Sequence, residues 1–398
     1  MEKSFITKSN SIMGDFLIKL RNISLYTALT IELLLMIYER SSLPLSSPKQ
    51  IFRISFVFSV FALLLTKYSI RQWIVIIITC AIAVVSYKVT GNNDLLRFSV
   101  FVIACKDADV RAMLKYIFVM TAAGSLMIVV MSLCGFVGDV KLVDDFGRDV
   151  GSEVRYTFGF GHPNTLMSVV FSIEVLLVYL IKKWDRRSRN TALAIMLCLD
   201  VVLYFLTGSR TGVALTIFTV VVAFVVYEIE FFKKSRFIYG LGAIVIGACV
   251  AFSIWAAAIS KYARKKEYPF YHKLDRILTG RIQSLYYDTK PHKGALQTWS
   301  LFGDEFSGNA FFDMGFVRLF YWYGIIPAVL ILLVVLLFIY RLYLDREYAV
   351  MIMVLSISVF TLVEASFVSS FLGRNYLLPV MGAYLFADRE KRAKIART

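Results

Sequence analysis

The sequence predicts an all-α integral membrane protein that crosses the bilayer about twelve times as a single transmembrane domain, residues 1–398. Three observations lead to this prediction. Hydrophobic residues make up 58% of the 398 positions, and charged residues only 18%, whereas soluble domains carry about 25% charged residues. The apolar residues are also divided by short polar breaks into runs close to the roughly 20 residues of a spanning helix. This composition excludes a soluble enzyme, a disordered chain and a small disulfide-stapled module.

Twelve apolar runs follow one another along the chain, and each is predicted to form one spanning helix. The fourth and the last are short, so they are expected to be tilted or to lie as half-helices among their neighbours. The runs occupy residues 23–38, 51–65, 73–87, 95–105, 112–135, 164–181, 191–206, 213–227, 237–259, 315–340, 349–368 and 375–387.

Basic residues set the predicted orientation. The chain carries 44 Lys and Arg against 28 Asp and Glu, a net charge of +16, and three strongly basic segments are residues 182–189, 233–236 and 389–397. Short cytoplasmic loops are enriched in Lys and Arg, and an even number of runs separates these segments, so both termini are predicted to be cytoplasmic. The positive charge therefore gives no reason to expect nucleic acid as a partner. The five cysteines have no paired spacing and indicate neither disulfides nor zinc.

Two longer segments fall on the outer side in this topology. Residues 136–163 form one predicted external loop, and residues 261–314 form a larger one between spans 9 and 10. The larger loop carries nine basic residues against six acidic ones, opposite to the bias expected outside. Loops of this length translocate despite their charge. Its basic residues are therefore either incidental, solvated side chains or part of an anion-binding surface.

Four predicted spans begin on the outer side with a short polar motif, and most of these motifs contain arginine. A helix N-terminus offers unpaired N–H groups and a partial positive charge, which suit phosphate, and arginine adds a planar, bidentate donor. Gly, Ser, Asn and Pro are also ordinary helix-starting residues, but their occurrence on one face favours an external, lipid-borne anionic ligand such as a diphosphate. The motifs lie at residues 161–164, 207–212, 313–318 and 373–375.

These motifs and the outer loops supply the predicted diphosphate-binding residues. No metal or other cofactor is expected, because no acidic or histidine cluster has metal-ligand spacing. Three acidic residues, Glu32, Glu174 and Asp200, fall inside predicted spans, where carboxylates either mark ion or proton routes or make structural hydrogen bonds. Glu364, near the outer end of span 11, could orient an arginine or act as a general base. The binding candidates are Arg155, Asn164, Ser209, Arg276, Asp313, Arg318, Arg374 and Asn375.

Ordered motifs between about residues 150 and 385 resemble a known family. They are Arg155-Tyr-Thr-Phe-Gly-Phe-Gly-His-Pro-Asn164, Ser209-Arg-Thr-Gly212, Leu278-Thr-Gly-Arg281 with Leu301-Phe-Gly303, and Asp313-Met-Gly-Phe-Val-Arg318 with Tyr323-Gly-Ile-Ile326. This set is similar to that of bacterial polysaccharide repeat-unit polymerases (Wzy type), within the O-antigen ligase/polymerase superfamily. Two departures are Met314, where the family pattern has Asn, and Arg318, where it often has an apolar residue.

The resemblance implies a GT-C-like, metal-independent, inverting glycosyltransferase in the bacterial cytoplasmic membrane, with its active site facing outward. It would join undecaprenyl-diphosphate-linked oligosaccharides, as donor and acceptor, into a capsule, exopolysaccharide or O-antigen. A chain-length regulator and a flippase would be further partners. Arg210 and Arg281 would stabilise charge on the leaving diphosphate, and either His162 or Glu364 would deprotonate the acceptor hydroxyl.

Three alternatives remain open. A ligase would transfer a finished glycan to another acceptor, but the ligase branch generally carries a histidine in the segment that here reads Asn309-Ala-Phe-Phe-Asp313. A flippase or exporter of lipid-linked oligosaccharide would need cationic residues deep within the spans. The third alternative is a non-catalytic scaffold of an envelope assembly complex.

Overall fold

A computed structural model of the chain describes residues 2–43, 48–144, 151–286, 293–304 and 311–387, with side chains from Gly14 onward. The basic tail 389–397, used in the topology prediction, lies outside the described residues. The elements in chain order are α1 (Glu2–Arg40), α2 (Pro48–Leu64), α3 (Ile70–Thr90), α4 (Asp94–Ala104), α5 (Val110–Leu133), β1 (Lys141–Asp144), β2 (Glu153–Tyr156), α6 (Pro163–Leu180), α7 (Arg186–Thr207), α8 (Arg210–Glu228), α9 (Glu230–Lys234), α10 (Phe237–Ala263), α11 (Pro269–Ile277), α12 (Gly315–Tyr323), α13 (Ile325–Asp345), α14 (Tyr348–Val363) and α15 (Leu377–Phe386).

Helices long and apolar enough to cross a membrane dominate the fold, which confirms the prediction of a helical, polytopic membrane protein. Each of the twelve apolar runs contains helix, although residues 364–368 of the eleventh lie beyond the end of α14. The two runs predicted to be short form α4, with 11 residues, and α15, with 10. The count of twelve spans stays a prediction. Among the described residues, eight helices meet the length and hydropathy of a span: α1 from Gly14 onward, α3, α5, α6 with its extension to Lys183, α7, α8, α10 and α13.

The tenth apolar run, residues 315–340, is two helices and not the single span predicted. The chain breaks at Gly324, whose φ of +86° lies in the left-handed region that favours glycine. Part of the 261–314 segment packs against this break, because the N–H of Ile325 donates to the carbonyl of Ser300 at 2.9 Å and that of Ile326 to Leu301 at 3.0 Å. The break therefore anchors the end of the long loop to the helix bundle.

Replacing Gly324 with Ala should destabilise the fold strongly. A Cβ there would lie 2.3 Å from the backbone nitrogen of Gly303 and 2.4 Å from backbone carbons of Phe302, and backbone atoms cannot rotate away. Together with the strained φ, this clash should lower the free energy of unfolding by roughly 2–4 kcal/mol. Thermal unfolding in detergent measures the effect. The control is Gly247→Ala in α10, where a Cβ meets open space, and equal stability of the two variants would contradict the prediction.

The two predicted external loops contain local structure that composition did not reveal. Strands β1 and β2, within 136–163, form an antiparallel hairpin in which Leu142 pairs with Arg155. Within 261–314, α11 is followed by short 3-10 turns, and the carboxylate of Asp275 accepts backbone N–H groups of Ile282 at 2.8 Å and Gln283 at 2.9 Å. Residues 145–150, 287–292 and 305–310 of these loops lie outside the described residues. The hairpin is a local exception to the all-α prediction, and the membrane side of both loops stays predicted.

Helices α6 and α14 form the centre of the bundle. Thirteen of the 16 residues of α14 are buried, and the rings of Phe171 on α6 and Phe360 on α14 stack with centroids 4.2 Å apart. Apolar contact on all sides fixes these two helices, so the N-terminal end of α6 and the C-terminal end of α14 are held close together. Both ends contribute side chains to the candidate site.

Candidate functional site

A cavity of about 530 Å³ opens where the first turns of α6 and α8 meet the ends of α1 and α14. Its wall is polar and contains five arginines, one histidine and three carboxylates, and it is assembled from segments far apart in the sequence. The lining residues are Arg40, Asp144, Arg155, His162, Asn164, Thr165, Ser168, Ser209, Arg210, Thr211, Thr279, Arg281, Asp313, Glu364, Ser366 and Arg374.

Nine of the twelve site residues predicted from the sequence line this cavity. They are the four catalytic candidates Arg210, Arg281, His162 and Glu364, and the five binding candidates Arg155, Asn164, Ser209, Asp313 and Arg374.

The other three predicted residues lie elsewhere. Arg276 is exposed on α11, outside the lining. Arg318 is turned into the protein, where it donates to the carbonyls of Phe312 at 2.7 Å and Val368 at 3.2 Å. The Asn375 side chain accepts the N–H of Leu377 at 3.2 Å. Arg318 and Asn375 therefore support the cavity wall and do not face its interior.

The starts of α6 and α8 are joined at the cavity by a side-chain hydrogen bond. The Ser209 hydroxyl donates to Oδ1 of Asn164 at 2.8 Å. Gly208, which ends α7 with φ of +60°, lies against Arg155, since a Cβ there would be 3.0 Å from the arginine Nε. Two helix N-termini and their positive dipole ends are thus fixed side by side on one wall of the cavity.

His162 caps α6 through its ring. Its Nδ1 accepts the backbone N–H of Asn164 at 3.1 Å, so a neutral ring carries its proton on Nε2. Burial lowers the pKa of His162, and the positive charge of Arg155 lowers it further. At neutral pH the imidazole is therefore uncharged, and in this state its Nε2–H is a hydrogen-bond donor.

Arg281 and Glu364 form a buried ion pair that fastens the 261–314 segment to the end of α14. The Arg281 Nη2 lies 2.5 Å from Oε1 of Glu364, and its Nε donates to the carbonyl of Val363 at 2.7 Å. Burial raises the pKa of Glu364 to about 7, against the lowering effect of Arg281. This carboxyl group therefore exchanges its proton near neutral pH.

Two further arginines of the cavity are held by carboxylates of neighbouring elements. Arg155 on β2 pairs with Glu153 at 2.7 Å, and Arg374 pairs with Glu39 in the last turn of α1. The turn of residues 372–374 lies directly on α1, since a Cβ at Gly373 would be 2.6 Å from a backbone oxygen of that helix. Both guanidinium groups are oriented before any ligand binds.

Of the three acidic residues inside predicted spans, Glu32 belongs to a buried charged cluster that supports the cavity. Arg97 on α4 pairs with Glu32 at 3.1 Å and with Asp94 at 2.9 Å. The same guanidinium donates to the carbonyl of Ser370 at 3.1 Å, which ties the α14–α15 connection and its Arg374 to α1 and α4. Breaking a buried pair of this kind leaves an uncompensated charge and costs about 3–5 kcal/mol.

Glu174 on α6 and Asp200 on α7 are buried next to each other, outside the cavity lining.

Arg40 is the principal cavity residue that sequence reasoning missed. It is the last residue of α1 and only 4% exposed. The signal that could have found it is an arginine at the predicted outer end of span 1, where the positive-inside bias does not place one. Thr211 and Thr279 lie within motifs found in the sequence but were not selected. The other cavity residues that were missed are isolated polar residues without a pattern: Asp144, Thr165, Ser168 and Ser366.

Within the described ranges, no group of three or more His, Cys, Asp or Glu side chains could share a metal ion. Comparisons with protein-family models, with curated proteins and with solved structures found no match to this chain. The functional argument therefore depends on the cavity and on the ordered motifs that form it.

Proposed function

We propose that the protein is a glycosyltransferase that polymerises undecaprenyl-diphosphate-linked oligosaccharide repeat units into a bacterial surface polysaccharide. The observation that carries the proposal is that eight residues from motifs spread between residues 155 and 374, together with Glu364, line one cavity. Helix-starting residues on one face of a bundle can lie anywhere across that face, whereas these residues meet at one cavity. Convergence instead supports a shared ligand for these motifs.

The charge of the cavity suits a diphosphate. The lining contains five arginines and three carboxylates. Glu153 and Glu39, outside the lining, pair with two of these arginines, and two helix N-termini add partial positive charge. Arginine matches phosphate oxygens through two parallel N–H donors. In the proposed topology, with both termini cytoplasmic, this end of the bundle faces outward, where a lipid-linked substrate would reach it from the membrane after a flippase has delivered it.

The proposed reaction is a single displacement with inversion. The acceptor hydroxyl oxygen forms a bond to the anomeric carbon of the donor, the bond from that carbon to the diphosphate oxygen breaks, and the lipid diphosphate leaves. Arg210 and Arg281 stabilise the negative charge that develops on the leaving group. The hydroxyl proton passes to a general base.

Glu364 is the better candidate for this base. A pKa of about 7 suits proton abstraction at neutral pH. The Nδ1 of His162 is occupied by the α6 N-terminus, so its neutral ring offers an N–H donor and not a lone pair on Nε2. His162 is accordingly assigned to bind an oxygen of the substrate.

The test is reconstitution. Purified protein in detergent, given only a lipid-diphosphate-linked repeat unit, should produce a ladder of polymer on a gel without nucleotide sugar, ATP or added metal. Transfer of the glycan only to a different acceptor would identify a ligase. Movement of the substrate across proteoliposomes without any ladder would identify a flippase, and either result would overturn the proposal.

A further inference from the structure

Two of the five arginines in the cavity lining form no ion pair with a described carboxylate. Arg155, Arg281 and Arg374 are paired with Glu153, Glu364 and Glu39 respectively, whereas Arg40 and Arg210 are not. Arg210 is exposed and water can solvate its charge. Arg40 is buried, so its charge requires a different explanation.

The guanidinium of Arg40 has an unused donor. Its Nη1 is buried and has no hydrogen-bond partner among the described residues. The neighbouring carboxylate, Glu39, acts on the charge of Arg40 but forms its ion pair with Arg374, and Tyr376 hydrogen-bonds the Arg40 side chain. A buried donor without an acceptor, on a cation that shares its nearby carboxylate with a second arginine, is costly, and an anionic ligand in the cavity would lower that cost.

We infer that Arg40 and Arg374 form a second anion-binding subsite of the cavity, which takes a diphosphate. The 372–374 turn packs on α1 at Glu32, and Arg374 reaches along that helix to Glu39, the residue before Arg40, so both guanidinium groups are held by the same helix. The other subsite consists of Arg210 and the joined starts of α6 and α8. This inference rests on the proposed function, in which donor and acceptor each carry a diphosphate and the cavity must accommodate both.

The competing explanation is that Arg40 only neutralises the C-terminal carbonyls of α1, as basic residues in a last helical turn often do. That role would affect stability and leave the affinity for a ligand unchanged. A carboxylate of an acidic sugar is a second competitor, since arginine binds carboxylates as well.

Calorimetric titration of the full-length protein in detergent separates these cases, with pyrophosphate and glucuronate as probes. Arg40→Gln should weaken pyrophosphate binding about tenfold or more, as expected for a charge-assisted hydrogen bond. Arg40→Lys keeps the positive charge but lacks the two parallel N–H donors of the guanidinium group, so it should bind pyrophosphate with intermediate affinity. The control is Arg53→Gln, an exposed arginine near the start of α2, which removes the same charge near the same end of the bundle.

Unchanged pyrophosphate affinity in Arg40→Gln, no binding by the wild-type protein, or a loss confined to glucuronate would each overturn the inference. If Arg40→Gln fails to fold, wild-type pyrophosphate affinity in Arg40→Lys would overturn the inference instead. The titration needs no glycosyl transfer. If Arg40→Gln binds pyrophosphate more weakly but the wild-type protein forms no polymer ladder, the subsite is supported and the proposed function is rejected. If the wild-type protein forms a ladder and Arg40→Gln binds pyrophosphate normally, the proposed function is supported and the subsite is rejected.

Discussion

Replacing Arg210 with Gln is expected to reduce polymer formation at least 10²-fold while the protein still reaches the membrane. Arg210 is the first residue of α8, where the helix dipole adds to its charge. It lines the cavity, is exposed and has no ion pair with a described carboxylate, so its donors are available to a ligand. Because its side chain is exposed and lies outside the ion pairs of the described residues, its removal should change chemistry and not folding.

A matched control for Arg210 exists in the neighbouring helix. Arg187, in the first turn of α7, is also an exposed arginine at the start of an apolar helix, but it lies outside the cavity lining. Arg187→Gln should form polymer at the wild-type rate. The measurements are the gel ladder, the amount of protein in the membrane fraction and the thermal unfolding temperature. Full-length polymer from Arg210→Gln at wild-type yield would refute the catalytic assignment.

The residues that the sequence placed correctly in the cavity are those with a local signature. His162, Ser209 and Arg374 stand at polar helix starts or turns within an apolar chain, and that pattern depends only on near neighbours. The apolar runs were recognised for the same reason. Their helical state follows from the length and composition of each segment, without knowledge of tertiary contacts.

The features that the sequence did not predict depend on contacts between distant segments. The break at Gly324 exists because residues 300–303 pack on it. The unused Nη1 of Arg40 depends on which acceptors the fold brings near it, and the adjacent Glu39 is engaged by Arg374. The inward turn of Arg318 requires the carbonyls of another connection. Composition could not distinguish these arrangements from an unbroken helix or a surface arginine.

Replacing Glu364 with Gln is expected to reduce polymer formation by about 10²- to 10⁴-fold, the usual contribution of a general base. In the wild-type protein the pKa of about 7 means that the deprotonated fraction grows as the pH rises through neutrality. The rate should therefore rise with pH to a plateau above about 7. Gln cannot accept the proton, so the residual rate of the variant should lack this rise.

The pH dependence of protein stability tests the pKa of the Glu364 carboxyl group independently of activity. Its folded-state pKa is raised from an ordinary value of 4.5, so the folded protein binds the proton more tightly than the unfolded chain. The stabilisation from that proton is fully present below about pH 4.5 and is lost as the pH rises through about 7. Glu364→Gln should therefore show a smaller decline in unfolding temperature over this interval than the wild-type protein.

Two further variants test whether Glu364 or another residue is the general base. Glu267→Gln, an exposed carboxylate in the 261–314 segment, should keep both the activity and the pH profile. His162→Gln should lower the rate and retain the rise through about pH 7, because it removes a hydrogen-bond donor and leaves the base in place. If the rise disappears in His162→Gln and persists in Glu364→Gln, the histidine is the base. The Nδ1 contact with the start of α6 would then have to open during the reaction.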